Sequence, residues 1–409
     1  MSDEILSALQ FAFLNNKDPI NTTGSAAYEI TYDFATTAAP SDLPTSTVLT
    51  GWTPFTAAEK VMLRTQMDHI ETFLNVTFVE APGAADPDLN LGKVTIPGIT
   101  AGLGGTSISA IGTMVSRWDG FAVFDNTIDL TAPNEANLIL HELGHALGAK
   151  HPFDDGTVLP SETENNKYTV MSYTENPDSN AFSNTMMLYD HLVLQDIWGA
   201  AEHKTGNTTY TGSSNGALEV IWDTDGDDRL SANGRSNDVT LDLRDGKFSS
   251  FDSVDDIAIA FGVTIERAVG GAGNDQLTGN SAANTLSGKG GADTLSGGKG
   301  GDNLKGGSGA DVLIGGKGKD TLNGGKGDDS LTGNGAADRF IYKGKAGADT
   351  ISGFQDDSDT LVIRKQGDLN AVLAAADQVG SDVVFDFGAG NSLTVLNASL
   401  NAISDDILA

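Results

Sequence analysis

HELGHALGAKH, His141 to His151, decides how this chain is read. Its spacing is H-E-x-x-H-x-x-G-x-x-H. Histidines four apart on a helix stand one above the other on one face. That is the geometry of two imidazoles on one zinc ion. Glu142 lies beside them, where a carboxylate can take a proton from a water polarised by the metal. Gly148 can enter the left-handed conformation that ends a helix and turns the chain, and His151 then returns as a third ligand. Three protein ligands leave one position open, which is the catalytic rather than the structural arrangement. Around the motif, Asn134 is suited to cap the helix and Glu135 to its first turn. Leu140, Leu143 and Leu147 form an apolar stripe away from the ligands.

Composition narrows the rest. A chain of 409 residues predicts two domains. A net charge of −32 argues against nucleic-acid binding, which needs the opposite sign, and suits calcium binding outside the cell. With no cysteine there are no disulfides and no thiolate-ligated zinc, and calcium can brace the fold instead. No apolar run reaches membrane-spanning length. The start, MSDEILSALQFAFLNNK, is acidic where a secretory signal needs positive charge. Residues 1–24 therefore read as an N-terminal helix or a pro-segment.

Downstream, YEITYDF (Tyr28–Phe34), VTFVE (Val76–Glu80) and KVTIPG (Lys93–Gly98) read as strands. Thr56-Ala-Ala-Glu59 is a capping box. The helix behind it carries Leu63, Met67, Ile70 and Leu74 on one face, with His69 off that stripe as a solvated residue. GLGGTSISA is a candidate edge strand, and FAVFDNTIDL the last strand before the zinc helix. MMLYDHLVLQDIWGA (Met186–Ala200) closes this part as a helix. His191 and His203 lack ligand spacing and are not read as ligands.

HELGHALGAKHPF followed by YTVMSY (Tyr168–Tyr173) resembles the metzincin metallopeptidases, and specifically the serralysin family. The resemblance implies that Met171 is the methionine turn beneath the zinc ligands. It also implies that Tyr173 coordinates zinc and swings away on substrate binding. In this family the region from Ala101 to Leu130 often carries more aromatic residues than here. IWDTDGDDRL (Ile221–Leu230) resembles the calcium-binding turn that opens the serralysin C-terminal domain, and GVTIERAVGGAGND (Gly262–Asp275) the approach to its repeats. Asp228 and Glu266 are calcium candidates there.

From Gly270 to Ile341 the chain tiles as eight units of nine residues, close to G-G-x-G-x-D-x-U-x. The glycines permit tight turns whose carbonyls face a cation. The sixth place supplies a hard oxygen ligand: Asp275, Asp293, Asp302, Asp311, Asp320, Asp329 and Asp338. The eighth place points inward and stacks as a core. Half-turns on alternate sides make repeats two apart into neighbours that share each ion. The second unit is weaker, with Asn284 for aspartate, and so is the eighth, with Ala336 for glycine. Lys289, Lys299, Lys305, Lys317, Lys319, Lys326 and Arg339 nearly balance the repeat aspartates, which predicts weaker charge-driven unfolding without calcium. DTLVIRK and DVVFDF–GAGN–SLTVLN read as strands and a hairpin capping the roll.

The expected architecture is an α+β metzincin domain (25–205), a twisted mixed sheet with the zinc-site helix, then an all-β parallel β-roll domain (206–409). The expected function is a secreted zinc endopeptidase acting on proteins and peptides, a monomer with one catalytic Zn²⁺ and several structural Ca²⁺. His141, His145, His151 and Tyr173 are the zinc ligands and Glu142 the general base. Its tail, DDILA, resembles the C-terminus by which serralysins are exported in one step (type I) across both membranes of a Gram-negative cell, with an extra Ala409. Two other readings stay open. One is a calcium-binding surface or adhesion protein with a vestigial protease domain. The other is an enzyme cutting an ester or a lipid amide.

Overall fold

The computed structural model describes residues 2–408 apart from 16, 41–42, 44–48, 99, 134, 155, 214–216, 253, 344–345 and 365–367. The cap expected at Asn134 and the extra Ala409 lie outside the described residues. The chain divides into two compact units, Met1–His203 with Ala217–Thr224, and Lys204–Gly216 with Asp225–Ala409.

The first unit is α+β. Its elements are α1 (Ser2–Leu9), β1 (Tyr28–Phe34), β2 (Thr50–Thr53), α2 (Ala57–Glu71), β3 (Val76–Glu80), β4 (Leu89–Thr95), β5 (Gly102–Ile111), β6 (Met114–Asp125), α3 (Glu135–Ala146) and α4 (Leu188–Trp198). The sheet has the order β3-β1-β4-β6-β5, with β2 off β4. The first four strands of that order run parallel, and β5 is an antiparallel edge. β4 is buried at every position but its last, as a central parallel strand must be, so it shows no alternation and begins earlier than its sequence suggests. β6 also starts earlier than expected and stops at Asp125. There the carboxylate accepts from the N–H groups of Ile96 and Thr127, each at 2.9 Å, and turns the chain out of the sheet.

Thr56 and Glu59 cap α2 reciprocally, and the free oxygen of Glu59 meets Lys93 Nζ at 2.5 Å in the interior. His69 is not solvated as expected: it is half-buried and its Nε2 accepts from the Met186 N–H at 3.2 Å. The Trp198 indole donates to the Leu147 carbonyl at 2.9 Å, which ties α4 to the end of the histidine helix. The N-terminal residues join the same core. Ile5, Ala8 and Leu9 are buried, and the Lys150 N–H donates to the Leu9 carbonyl at 2.7 Å.

The second unit is a β-roll of two nine-stranded sheets, parallel except for a terminal antiparallel hairpin and its neighbour, with two short helices, Leu369–Ala374 and Leu400–Ile403. Strands a double repeat apart pair in register, as Leu295 does with Leu313 and Leu304 with Leu322. The eighth-place residues from Leu277 to Phe340 are all buried and stack into a single apolar column system. The expected hairpin forms between Asp382–Gly388 and Asn391–Val395 and extends one sheet. Ile407 and Leu408 add a short parallel strand beside Leu361 and Val362 in the other.

Candidate metal centre

His141 and His145 project from α3, and Gly148, at φ +111°, turns the chain so that His151 comes back towards them. His151 Nε2 lies 3.2 Å from His141 Nε2 and 3.0 Å from His145 Nε2. Each Nδ1 faces an acceptor instead: the Val170 carbonyl at 2.8 Å, the Ala149 carbonyl at 2.9 Å and Asp154 Oδ2 at 3.1 Å. Those acceptors hold the proton on Nδ1, so three Nε2 lone pairs converge. Burial pushes His141 down to about 4 and His145 to about 3, which keeps both neutral. Three facing lone pairs repel unless a cation lies among them. Two bonds of about 2.0–2.1 Å at a tetrahedral angle would put nitrogens roughly 3.3 Å apart, close to what is seen, so the residues fit zinc.

Glu142 is buried beside the cluster, where desolvation lifts its carboxyl to about 8 against a hydrogen bond from the Gly104 backbone. An adjacent dication reverses that logic and favours the carboxylate. The glycines of β5 are what let the edge strand lie this close. A Cβ at Gly102 would stand 2.6 Å from Glu142 Oε1. A cavity of about 450 Å³ opens beside Glu142, lined by Ala101, Leu138, Tyr173 and Phe182 among others.

Met171 is buried against Gly144 of the histidine helix. The Tyr173 hydroxyl reaches into the ligand space, 2.7 Å from His151 Nε2, yet the residue is 63% exposed. The turn that carries both is held from α4. Asp190 accepts from Thr169 Oγ1 at 2.6 Å, from Val170 N at 2.9 Å and from Met187 N at 2.8 Å, all in the interior.

In the roll, the repeat aspartates form two ladders. On one side the N–H of Asp275 donates to Asp293 Oδ1, Asp293 to Asp311, Asp311 to Asp329 and Asp329 to Asp349, at 2.8–3.2 Å. On the other, Asn284 donates to Asp302, Asp302 to Asp320, Asp320 to Asp338 and Asp338 to Asp359, at 2.7–3.0 Å. The second oxygen of Asp293, Asp302, Asp311, Asp320, Asp329 and Asp338 is buried with no hydrogen-bond partner among the described residues. Burial, with neighbouring carboxylates adding to it, raises Asp293 and Asp329 to about 7 and Asp302, Asp311 and Asp338 to about 6. Crowded, unpaired carboxylate oxygens of this kind suit a hard cation. Asp275 differs, since both its oxygens accept from backbone, Val239 N and Gly271 N. The Asn284 amide donates to Ile265 and Glu266 carbonyls. Asp228 and Glu266 are brought together, with the Asp228 N–H donating to Glu266 Oε2 at 2.7 Å.

The RTX calcium-binding nonapeptide repeat model matches residues 264–295, 296–331 and 314–344. Metallopeptidase AprA of Pseudomonas marginalis is 30% identical over 300 residues, 63% of this chain and 61% of that protein. A serralysin of Photorhabdus laumondii is 29% identical over 290 residues, 63% of this chain and 59% of the relative. A serralysin of Proteus mirabilis is 32% identical over 170 residues, 35% of each. Over the span they share, the chain is similar to the serralysins. It spans about three fifths of the length of the first two relatives. Extracellular lipase LipA of Serratia marcescens, a solved structure, aligns over 35% of this chain and 39% of that one at 22% identity, with a TM-score of 0.21.

Several residues around the sites of this serralysin-like chain escape a reading of motifs. Asp154 and Asp190 orient ligands across loops. Leu138 and Phe182 line the cavity. Asp349 and Asp359 extend the ladders but follow their partners by 20 and 21 residues rather than 18. The stretch Gly347-Ala-Asp349-Thr-Ile351 does keep the end of the repeat pattern, and would have located the first of them. Asp356, Asp405 and Asp406 also place carboxylate oxygens within 4.8 Å of one another. No helix among the described residues is long and apolar enough to cross a membrane.

Proposed function

We propose that the chain is a zinc endopeptidase that hydrolyses peptide bonds in proteins. The observation that carries this reading is the convergence of three neutral Nε2 atoms beside a buried carboxylate and a cavity. Zinc held by His141, His145 and His151 supplies a Lewis acid and brings the pKa of water towards about 7. Glu142 takes the proton of the attacking water and returns it to the leaving amine. Tyr173 is a mobile donor: it sits on the ligands in the resting site, and its exposure leaves it room to swing out and hydrogen-bond the developing oxyanion. The antiparallel edge β5 offers its backbone to an extended substrate. The orphan aspartate oxygens of the roll hold several Ca²⁺, which bind the folded roll and so stabilise it.

Secretion is part of this reading. A roll kept loose at low cytosolic calcium can be threaded through a one-step exporter. Its C-terminal residues take their place beside Leu361 and Val362 once calcium is met outside. The deciding experiment is Glu142→Gln, assayed for casein hydrolysis with metal analysis on the same sample. The variant keeps zinc and loses nearly all turnover. A variant with wild-type turnover rejects the mechanism.

A further inference from the structure

The roll carries lysine at places that make no ion pair with the repeat aspartates, whose carboxylates are buried beneath the turns. In the even-numbered repeats, the third and fifth places fall along one flank. Lys299 and Lys317 are register partners on adjacent strands, and Lys317 pairs on its other side with Gly335. Gly301 stacks against Lys319, whose carbonyl would lie 3.2 Å from a Cβ added there. The exposed residues of these places are Ser281, Ala283, Lys299, Gly301, Lys317 and Lys319. Gly335 and Ala337 complete the row within the eight repeats, where it contains no carboxylate in a chain with a net charge of −32; the first one comes a rung later, at Asp356.

The opposite flank is mixed, with Lys326 two residues from Asp328. Neighbouring strands lie about 4.8 Å apart, and like charges directly opposite one another are destabilising. None of the three lysines has an ion pair among the described residues. An arrangement of this kind is relieved by an external anion with repeating charges.

The flank also shows what that anion is not. It has no aromatic side chain on which a nucleic-acid base could stack. It has no large apolar side chain to enter a lipid surface. Serine, glycine backbone and lysine are groups that meet hydroxyls and anionic substituents. We propose that this flank binds an acidic polysaccharide, laid along the ladder so that its carboxylate or sulfate groups meet Lys299, Lys317 and Lys319. The roll then serves as an anchoring surface as well as a calcium-braced scaffold.

The test uses the full-length, calcium-loaded protein on immobilised polygalacturonate, a carboxylated chain, and on heparin, a sulfated one. Wild type is retained on at least one and released by salt, and which of the two retains it names the anionic group. The triple variant Lys299→Gln/Lys317→Gln/Lys319→Gln loses most of that retention. Its log affinity falls less steeply with log salt, by about 2 in slope, on the scale of about 0.7 per contact for single-stranded polyanions. A control with equal loss of charge, Lys289→Gln/Lys305→Gln/Lys326→Gln, keeps its retention. Lys299→Gln alone does not lower the melting temperature, since it removes a like-charge pair. Equal loss in both triple variants overturns the proposal. So does absence of wild-type retention on both glycans, or tighter binding to single-stranded DNA or to vesicles of anionic phospholipid.

Discussion

The sulfur of Met171 rests on the bare backbone of Gly144, in the helical turn between His141 and His145. A Cβ at Gly144 would stand 2.6 Å from it. Helix propensity alone favours alanine there by about 1 kcal/mol. Gly144→Ala is nonetheless expected to destabilise the catalytic unit, by about 1–3 kcal/mol, because a methyl group is forced into a filled space. In a Met171→Ala background the same change should cost less. Denaturation of the four proteins of this cycle measures the coupling. Equal cost in both backgrounds would mean that the sulfur is not what excludes a side chain.

Asp190 links α4 to the turn whose Val170 carbonyl fixes His141. Asp190→Ala leaves two amide donors and a hydroxyl buried without their acceptor, for an expected loss of about 2–4 kcal/mol. Zinc should also exchange faster with a chelator, since the Nδ1 acceptor of His141 is no longer held. Asp190→Asn keeps one oxygen for the two amides, and the Thr169 hydroxyl can accept from its nitrogen. That variant should be the milder in both measurements, and the reverse order would contradict the hydrogen-bond account.

Tyr173→Phe removes a hydroxyl that faces the ligand space while leaving the ring stacked near His141 and Phe153. Loss of an oxyanion donor is worth about 2.7–4 kcal/mol, or 10²–10³ in kcat. KM should change little, because the interaction is made in the transition state. Full turnover in the variant would reduce the tyrosine to packing.

The calcium-free roll should respond to acid in the opposite sense from an ordinary fold. Asp293, Asp302, Asp311, Asp329, Asp338 and Asp349 sit at about 6 to 7 when folded, against a usual 3.8, so the folded roll binds protons more tightly than the unfolded chain. Without calcium, stability therefore rises as pH falls from above 7 towards 4. With calcium, which needs the carboxylates ionised, affinity declines over the same range. Melting curves in chelator and in calcium, from pH 8 to 5, should converge. Parallel curves would show that these carboxylates do not govern the roll.

What could be read beforehand was what is local in the chain. The three converging histidines follow from one helix and one turn, and the roll from a nine-residue period. Asp190 looks like an ordinary polar position on an apolar helix, because its partners in the turn lie 20 and 21 residues back. β4 begins before its sequence suggests because a strand buried on both faces has no alternation to mark it. The missed start of β6, Met114–Arg117, is largely exposed and is set by its pairing with the end of β5. The first residues read as a helix or a removable leader. Their main-chain bond to Lys150 depends on the turn that carries His151 and is invisible in composition.

The ladders have a polarity. Each aspartate N–H is satisfied by a carboxylate one rung nearer the C-terminus, from Asp275 towards Asp349 and from Asn284 towards Asp359. The main chain bonds the other way, since the N–H after each later aspartate, as at Thr294 and Val312, donates to the carbonyl of the aspartate one rung before it. A rung is thus tied to its successor through a side chain and to its predecessor through the backbone. Loss of one carboxylate therefore unpairs an amide only on the N-terminal side, while the backbone ladder holds on both.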